Sequence, residues 1–182
     1  MKFYIENPSN AYVGYFNFLG EVVESPDEAD TIVFTGGADV SPCLYGEEAH
    51  PKTYSIYERD MQEMSLYHRY RNKKMFVGIC RGGQFLNVMN SGKLVQHIEG
   101  HGRSHNVLDW EGRVHHVTST HHQAIVPNAM GRVLAAAGDG IVEAVWYDRT
   151  KCLCFQPHPE YDGMLDTRIL FEKLLEVTIC AG

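Results

Sequence analysis

The stretch from residue 73 to residue 96 constrains the fold of this chain more than any other. It opens with a short, unbroken apolar run at residues 75–77, which is typical of a strand buried on both faces of a sheet. The glycine-rich turn G-I-C-R-G-G follows, and the apolar spacing of residues 84–90 then predicts a helix. The sequence therefore places Cys80 at a strand-to-helix turn, with a glycine two residues before it and another two residues after it.

This spacing is that of a nucleophile elbow in which cysteine replaces serine. A nucleophile at the tip of such a strained turn leaves room only for glycine where the backbone segments approach each other. The N-terminus of the following helix favours a thiolate over a thiol, because its N–H groups and its dipole attract negative charge. Strand–glycine–helix turns also occur in α/β proteins without any catalytic role, so the elbow alone leaves both interpretations open.

Alternating apolar strands and helices predict an α/β fold with a mostly parallel sheet and helices on both faces. The histidine-rich segment from residue 94 to residue 123 contains short strand-like pieces between turns, which we expect to form a small antiparallel extension of the sheet. No internal repeat or linker divides the chain, so we expect residues 1–182 to form a single domain. The predicted strands are 3–5, 22–23, 31–34, 75–77, 114–117, 125–126, 132–137, 141–148 and 152–155, and the predicted helices are 12–19, 54–72, 84–90 and 166–178.

Charge and composition exclude several classes of function. The net charge of −7 argues against a nucleic-acid surface, which requires a basic stripe. No apolar run reaches about 18 residues, and the N-terminus enters strand-like sequence directly, so we expect neither a membrane span nor a signal peptide. Five cysteines without a C-x-x-C pair suit a reducing compartment, and we therefore expect a cytoplasmic protein.

The histidine-rich segment invites a metal-binding interpretation. Its histidines show no helical H-x-x-x-H pair, and no neighbouring aspartate or glutamate has the spacing of a ligand. We therefore predict no metal site and expect any nickel or zinc affinity to be adventitious. The histidines concerned are His97, His101, His105, His115, His116, His121 and His122.

Candidate catalytic residues follow three of the predicted strands. Gly36 and Gly37 follow one strand, Cys80 follows the next, and His158 and Glu160 follow the last. Because the carboxyl ends of parallel strands share one edge of a sheet, we expect these residues to lie close together.

Such a group of residues could perform nucleophilic catalysis. Cys80 would attack, His158 would transfer protons, and Glu160 would hold the imidazole in the required tautomer. The N–H groups of Gly37 and Arg81 could form an oxyanion hole. A His-Pro-Glu sequence on its own is more often a detail of a loop, but three matched strand ends in one short domain favour catalysis.

Four segments of the chain resemble the class I glutamine amidotransferases. They are T-G-G-A-D-V-S-P-x-x-Y-G-E, G-I-C-R-G-G-Q, S-T-H-H-Q-A-I and Q-P-H-P-E, and together they run from about residue 31 to residue 160. Within that superfamily the chain is most similar to the γ-glutamyl hydrolase branch, which includes γ-glutamyl-γ-aminobutyrate hydrolase. The resemblance implies a flavodoxin-like sheet and a Cys-His-Glu triad at Cys80, His158 and Glu160.

The resemblance also implies the residues that bind substrate. Gln84 would contact the glutamyl head group, and the segment from His121 to Gln123 would line the same pocket. The donors of the oxyanion hole would be the N–H groups of Gly37 and Arg81. We further expect the Arg81 side chain to face either the γ-linked amine or a partner surface.

The implied activity is hydrolysis of the γ-glutamyl amide of glutamine, or of a γ-glutamyl amine, through a cysteinyl thioester and without a cofactor. Two alternatives stay open. The chain is shorter than the usual hydrolases of this branch and carries no synthase domain, which favours a glutaminase subunit that supplies ammonia to a separate synthetase. A non-catalytic binding protein on the same fold is disfavoured by the intact triad, and the G-G-A-D-V-S-P-x-x-Y-G-E loop favours the hydrolase.

Overall fold

Five short strands form a parallel sheet at the centre of the computed structural model, which describes residues 1–161, 163 and 165–180. Their order across the sheet is β2-β1-β3-β4-β11, and every neighbouring pair among them is parallel. These strands are β1 (Lys2–Glu6), β2 (Glu21–Val22), β3 (Thr31–Phe34), β4 (Met75–Ile79) and β11 (Cys152–Phe155).

Six further strands extend this sheet beyond β11, and all of their pairings are antiparallel. The order continues β11-β10-β9-β6-β7, while β8 pairs with both β10 and β5. These strands are β5 (Lys93–Val95), β6 (His105–Asp109), β7 (Val114–Val117), β8 (Ala124–Val126), β9 (Arg132–Ala137) and β10 (Val142–Tyr147).

In the part of the chain that the structure describes, four α-helices cover the two faces of the sheet. Residues of α1 and α4 pack on one face, and residues of α2 and α3 pack on the other. The helices are α1 (Asn10–Leu19), α2 (Tyr57–Tyr70), α3 (Arg81–Met89) and α4 (Leu165–Cys180), and two short 3₁₀ helices span Pro42–Tyr45 and Asp148–Thr150.

The two faces follow from the alternation of side chains along each strand. In β11, Leu153 and Phe155 point towards α1 and α4, whereas Cys152 and Cys154 point towards the α2 and α3 side. Both cysteines are fully buried, and burial raises the pKa of the Cys152 thiol to about 11. The prediction that these two cysteines share a face and act as small buried side chains is therefore confirmed.

The predicted α/β fold with a parallel core and helices on both faces is confirmed. The strand predicted at residues 31–34 has the bounds of β3, and the helix predicted at residues 54–72 is shorter, at Tyr57–Tyr70. The antiparallel extension contains more strands than the sequence indicates, because β5 and β6 lie in a glycine- and histidine-rich segment without clear alternation. Within the described part of the chain, no helix has the length and apolar character needed to cross a membrane.

Candidate active site

Cys80 lies between β4 and α3 with a backbone conformation that is rare for a side-chain-bearing residue. Its φ is 52° and its ψ is −112°, and its N–H donates a hydrogen bond to the Phe155 carbonyl oxygen at 2.7 Å. A Cβ on Gly82 would lie 2.1 Å from the Phe34 carbonyl oxygen, and a Cβ on Gly78 would lie 2.3 Å from the backbone of Gly82. Close packing therefore requires glycine on both sides of the cysteine, as the elbow interpretation predicts.

His158 follows β11 and is held by contacts on both of its ring nitrogens. Its Nδ1 lies 2.6 Å from Glu160 Oε1, and its Nε2 lies 2.9 Å from the hydroxyl oxygen of Thr120. Tyr161 stacks on the imidazole with a centroid distance of 4.6 Å and an interplanar angle of 5°. Since His158 and Glu160 are both buried, the imidazole has little freedom to leave this orientation.

The environment of His158 favours its charged form. Burial by itself lowers the pKa of the imidazole. Hydrogen bonds to Cys80 and Glu160, together with the charges of these two residues, raise the pKa by more than burial lowers it. The net result is a His158 pKa of about 10. The two acidic neighbours therefore favour the imidazolium form of His158 beside Cys80.

The residues that follow β3 lie next to Cys80 and His158. A Cβ on Gly36 would lie 3.2 Å from His158 Cε1 and 3.7 Å from Cys80 Cβ, so this backbone lies against both side chains. The Gly36 N–H donates to the hydroxyl oxygen of Tyr12 at 2.9 Å. The Gly37 N–H has no hydrogen-bond partner among the residues that the structure describes. Gly37 therefore has a donor available beside the elbow, whereas the donor of Gly36 is occupied.

The second predicted donor is the N–H of Arg81. Arg81 is the first residue of α3, where backbone N–H groups have no acceptor within the helix. Arg81 directly follows Cys80, and Gly37 directly follows Gly36, whose backbone lies against Cys80. An arrangement of this kind can stabilise negative charge on an oxygen that develops next to the sulfur.

The Arg81 side chain does not have the orientation predicted from the sequence. It is 1% exposed and forms ion pairs with the buried carboxylates of Asp60 and Glu63 on α2. Its guanidinium also lies over the Phe85 ring, 5.2 Å from the centroid. The prediction that this side chain faces a substrate amine or a partner surface is therefore wrong, because two carboxylates on a neighbouring helix hold the cation inside the protein.

Arg59 also positions the site, although the sequence analysis did not single it out. Its guanidinium donates to the carbonyl oxygens of Thr35 and Gly36 at 2.9 and 3.0 Å, and its Nε donates to Glu63 at 2.8 Å. A Cβ on Gly37 would lie 2.2 Å from Arg59 Nη1, and the φ of Gly37 is +141°. The i,i+4 pair of Arg59 and Glu63 on a predicted helix was the one sequence feature that could have revealed this residue.

The residues predicted to bind substrate lie together. The Gln123 carbonyl oxygen accepts hydrogen bonds from Gln84 Nε2 at 3.3 Å and from His121 Nδ1 at 2.9 Å. Gln156, which the sequence analysis did not single out, donates to the same oxygen at 3.3 Å. Gln84 lies one helical turn after Cys80, with its N–H bonded to the Cys80 carbonyl oxygen. All of these glutamine side chains are buried, so this corner of the site is polar.

The fold and this arrangement define a class I glutamine amidotransferase-type protein with a cysteine at a nucleophile elbow. The Peptidase C26 model matches residues 20–116 and 110–160, and the chain belongs to that family. The recognition of the class I superfamily is therefore confirmed, while the assignment to the γ-glutamyl hydrolase branch stays a prediction.

Two curated relatives and one solved structure agree with this family. A Mycobacterium tuberculosis protein, named provisionally as a glutamine amidotransferase, is 36% identical over 82% of this chain and 56% of its own length. A Lactococcus lactis protein, named provisionally as glutamine amidotransferase-like, is 35% identical over 81% of this chain and 72% of its own length. The chain therefore spans little more than half the length of the mycobacterial relative.

The solved structure comes from Thermoplasma acidophilum and is described provisionally as one of the subunits of GMP synthase. It matches 99% of this chain and 94% of its own, with a TM-score of 0.74 and 16% sequence identity. At this identity the match shows the shared fold.

Proposed function

We propose that this chain is a cysteine-dependent hydrolase that cleaves the γ-glutamyl amide bond of glutamine or of a γ-glutamyl amine. The observation that carries the proposal is the arrangement around Cys80. A cysteine with positive φ lies beside an imidazole that is oriented by a carboxylate at 2.6 Å, and a glycine backbone lies against both side chains. These are the parts that acyl transfer through a thioester requires.

In the first half-reaction, the Cys80 thiolate attacks the amide carbon and the negative charge moves to the carbonyl oxygen. The N–H groups of Gly37 and Arg81 donate to that oxygen. When the C–N bond breaks, His158 gives its Nε2 proton to the leaving nitrogen, so ammonia or an amine departs and a γ-glutamyl thioester remains on Cys80. Glu160 keeps Nδ1 protonated, which directs the exchanged proton to Nε2.

The second half-reaction restores the enzyme. A water molecule loses a proton to the now neutral His158 and attacks the thioester carbon. The C–S bond then breaks, which releases glutamate and returns the thiolate–imidazolium pair. No oxidant, metal or organic cofactor enters this balance, so we infer that the reaction proceeds without one.

Recognition of the γ-glutamyl head group is assigned to Gln84, His121 and Gln123. The support for this part is the burial of these residues and the shared carbonyl of Gln123, which fixes their relative positions. The side-chain carbonyl oxygens of Gln123 and Gln156 are buried and have no hydrogen-bond partner among the described residues. Such acceptors suit the ammonium group of a glutamyl substrate.

A second candidate function is that of an ammonia-supplying subunit. It is favoured by the fold match to a protein described as belonging to GMP synthase, and by the names of the two relatives. In that case a separate synthetase would receive the ammonia. For either function, we infer a reducing compartment such as the cytoplasm, because Cys80 has to stay a free thiol.

Turnover by the isolated chain distinguishes the two functions. Ammonia release from glutamine and amine release from γ-glutamyl amines are measured at about 1 mM substrate, the upper end of typical KM values. Amine release on the order of 1 per second or faster supports the hydrolase. Negligible turnover of both substrates, with Cys80 still alkylated by iodoacetamide ahead of the exposed Cys43, indicates a subunit that depends on its synthetase. Turnover that survives Cys80→Ala overturns both.

A further inference from the structure

Three histidines surround one buried carboxylate in the antiparallel part of the sheet. We call His101, His105, His121 and Glu143 the Glu143 cluster. Glu143 lies on β10 and is fully buried, His101 and His121 are buried, and the side chain of His105 is 18% exposed. Local spacing does not reveal this carboxylate as a ligand, because Glu143 lies far along the chain from the histidines that it contacts.

The ligand atoms of His101, His105 and Glu143 are spaced like those of one metal ion, and His121 contacts the second oxygen of Glu143. His101 Nδ1 and His105 Nε2 lie 3.0 and 3.1 Å from Glu143 Oε1, and His121 Nε2 lies 3.4 Å from Glu143 Oε2. Zinc bonds to nitrogen and oxygen of about 2.0–2.2 Å place neighbouring tetrahedral ligands roughly 3.3 Å apart. The ligand atoms of His101, His105 and Glu143 all lie within 4.8 Å of one another.

The far ring nitrogen of each histidine faces an oxygen that accepts a hydrogen bond. The acceptors for His101, His105 and His121 are, in turn, the Asp139 carboxylate at 3.0 Å, the Arg103 carbonyl at 3.1 Å and the Gln123 carbonyl at 2.9 Å. Each far nitrogen must therefore carry a proton. Carboxylates and carbonyl oxygens in these positions are the usual partners that orient metal-binding histidines.

The charge around the cluster suits a cation. Glu143 and Asp139 place two carboxylates against these imidazoles. A divalent cation bound by the rings would therefore be balanced by Glu143, which is fully buried, and by Asp139.

Two atoms inside the cluster support the binding of a cation. His121 Nε2 and Glu143 Oε2 are buried and have no hydrogen-bond partner in the described part of the chain. A buried polar atom without a partner costs free energy, so an occupant is expected between them.

We propose that the Glu143 cluster binds a zinc-type divalent cation through His101 Nδ1, His105 Nε2, His121 Nε2 and Glu143. Imidazole nitrogens with a carboxylate suit zinc and its transition-metal neighbours. With His121 as the fourth ligand, the ion would have no open position and would have a structural role. It would tie the segment from residue 101 to residue 105 to β10 and to the segment that carries the Gln123 carbonyl. The proposal shares His121 with the residues proposed to recognise the γ-glutamyl group, but zinc binding is measured without substrate, so the two proposals can fail separately.

In the described part of the chain, the histidines outside the Glu143 cluster lack the surroundings of a metal site. His97 lies 3.4 Å from His122, but its Nε2 lies 2.7 Å from the ammonium group of Lys52. A neighbouring cation disfavours a metal ion, so this exposed pair accounts at most for weak adventitious binding. His116 is exposed on β7 and contacts Asn106 at 2.9 Å, away from the cluster, and it provides the neutral control.

The test is zinc binding by the chelator-treated full chain, measured by competition with a chromophoric chelator, and cobalt binding, measured by visible absorption. We expect one zinc ion per chain and the intense visible bands of four-coordinate cobalt. His105→Asn and Glu143→Gln should each weaken zinc binding at least tenfold, and Asp139→Asn should weaken it roughly 10–100-fold. His116→Asn should bind as the parent chain does.

Asp139 is largely exposed and His105 is partly exposed, so these two variants are informative even if Glu143→Gln does not fold. The proposal is overturned if the chain binds no stoichiometric zinc. It is also overturned if binding is lost in His97→Asn and retained in His105→Asn, because the ion would then lie at the exposed pair. Zinc should raise the Tm of the parent chain and of His116→Asn, but not that of His105→Asn.

Discussion

Histidine side chains contact a buried glutamate at two sites in the described part of the chain. The two sites differ in the number of imidazoles that contact the glutamate. At the edge of the parallel strands, the single imidazole of His158 meets Glu160 at 2.6 Å with Cys80 beside it. In the antiparallel part, the three imidazoles of the Glu143 cluster converge on one carboxylate. One carboxylate for one ring yields an oriented proton carrier, whereas one carboxylate for three rings yields a set of ligands. The same two residue types therefore serve different chemistry.

The largest expected effect is at the nucleophile. Cys80→Ala should lower turnover on the order of 10⁵-fold or more, since no other atom is placed to form the thioester. The matched control is Cys43→Ala, because Cys43 is exposed and lies on the 3₁₀ helix at Pro42–Tyr45. Steady-state assays with glutamine and γ-glutamyl amines measure both. Equal losses in the two variants would show that Cys80 has no special role.

Loss of the Glu160 carboxylate, which orients His158, should lower turnover less than loss of the Cys80 sulfur. Glu160→Gln should reduce turnover, but roughly two orders of magnitude less severely than Cys80→Ala, because it removes orientation and charge while the nucleophile remains. If Glu160→Gln is as inactive as Cys80→Ala while its circular dichroism is unchanged, Glu160 does more than orient the ring.

The same substitution should change the pH dependence. Glu160 raises the His158 pKa, so in Glu160→Gln the pKa should fall and the imidazolium should be lost at lower pH. A raised histidine pKa stabilises the fold fully below the unfolded value of about 6.5, and that stabilisation disappears as the pH rises towards 10. Histidine-selective NMR titration of the parent chain and the variant measures the change. A His158 signal that titrates near 6.5 in both would contradict this account.

Replacing Arg81 tests how much the buried ion pairs next to the elbow contribute to the stability of the fold. Arg81→Met leaves Asp60 and Glu63 buried without their cation, so the free energy of unfolding should fall by about 3–5 kcal/mol. The matched control is Arg69→Met, which removes an exposed pair with Asp27 and should change stability little. Urea unfolding measures both variants. An unchanged midpoint for Arg81→Met would mean that the ion pairs contribute no net stability.

The smallest expected effect on turnover comes from His105 in the Glu143 cluster. His105→Asn should change kcat by less than about tenfold, because His105 contacts Glu143 and its own loop rather than any group around Cys80. The same variant should lose zinc affinity. A kcat loss that matches the loss at Glu160 would show that the two histidine–glutamate sites act as one.

The comparison also explains how much could be predicted from the sequence. Around Cys80, the residues lie in short motifs at the ends of buried parallel strands, and the fold brings strand ends to one edge. The spacing of Cys80 and its flanking glycines, and the pairing of His158 with Glu160, could therefore be predicted. The direction of the Arg81 side chain could not, because it depends on two carboxylates that only the packing of α2 brings close.

The Glu143 cluster could not be predicted for a related reason. Its ligands come from β6, from β10 and from the loops that carry His101 and His121, and their approach depends on the register of antiparallel strands. Local sequence does not encode that register where β5 and β6 show no clear alternation. Thr120 and Tyr12 were missed likewise, because their contacts with His158 and Gly36 join distant parts of the chain.

The central claim is that Cys80 forms a γ-glutamyl thioester, and trapping this intermediate tests it most directly. The chain is mixed with a γ-glutamyl amine, quenched with acid within the first turnovers, digested, and examined by peptide mass spectrometry. We expect a glutamyl group on the peptide that contains Cys80. The group should be absent in the Cys80→Ala variant and present in the Cys43→Ala variant. Amine release without any acyl group on Cys80, or a glutamyl group on another cysteine, would contradict it.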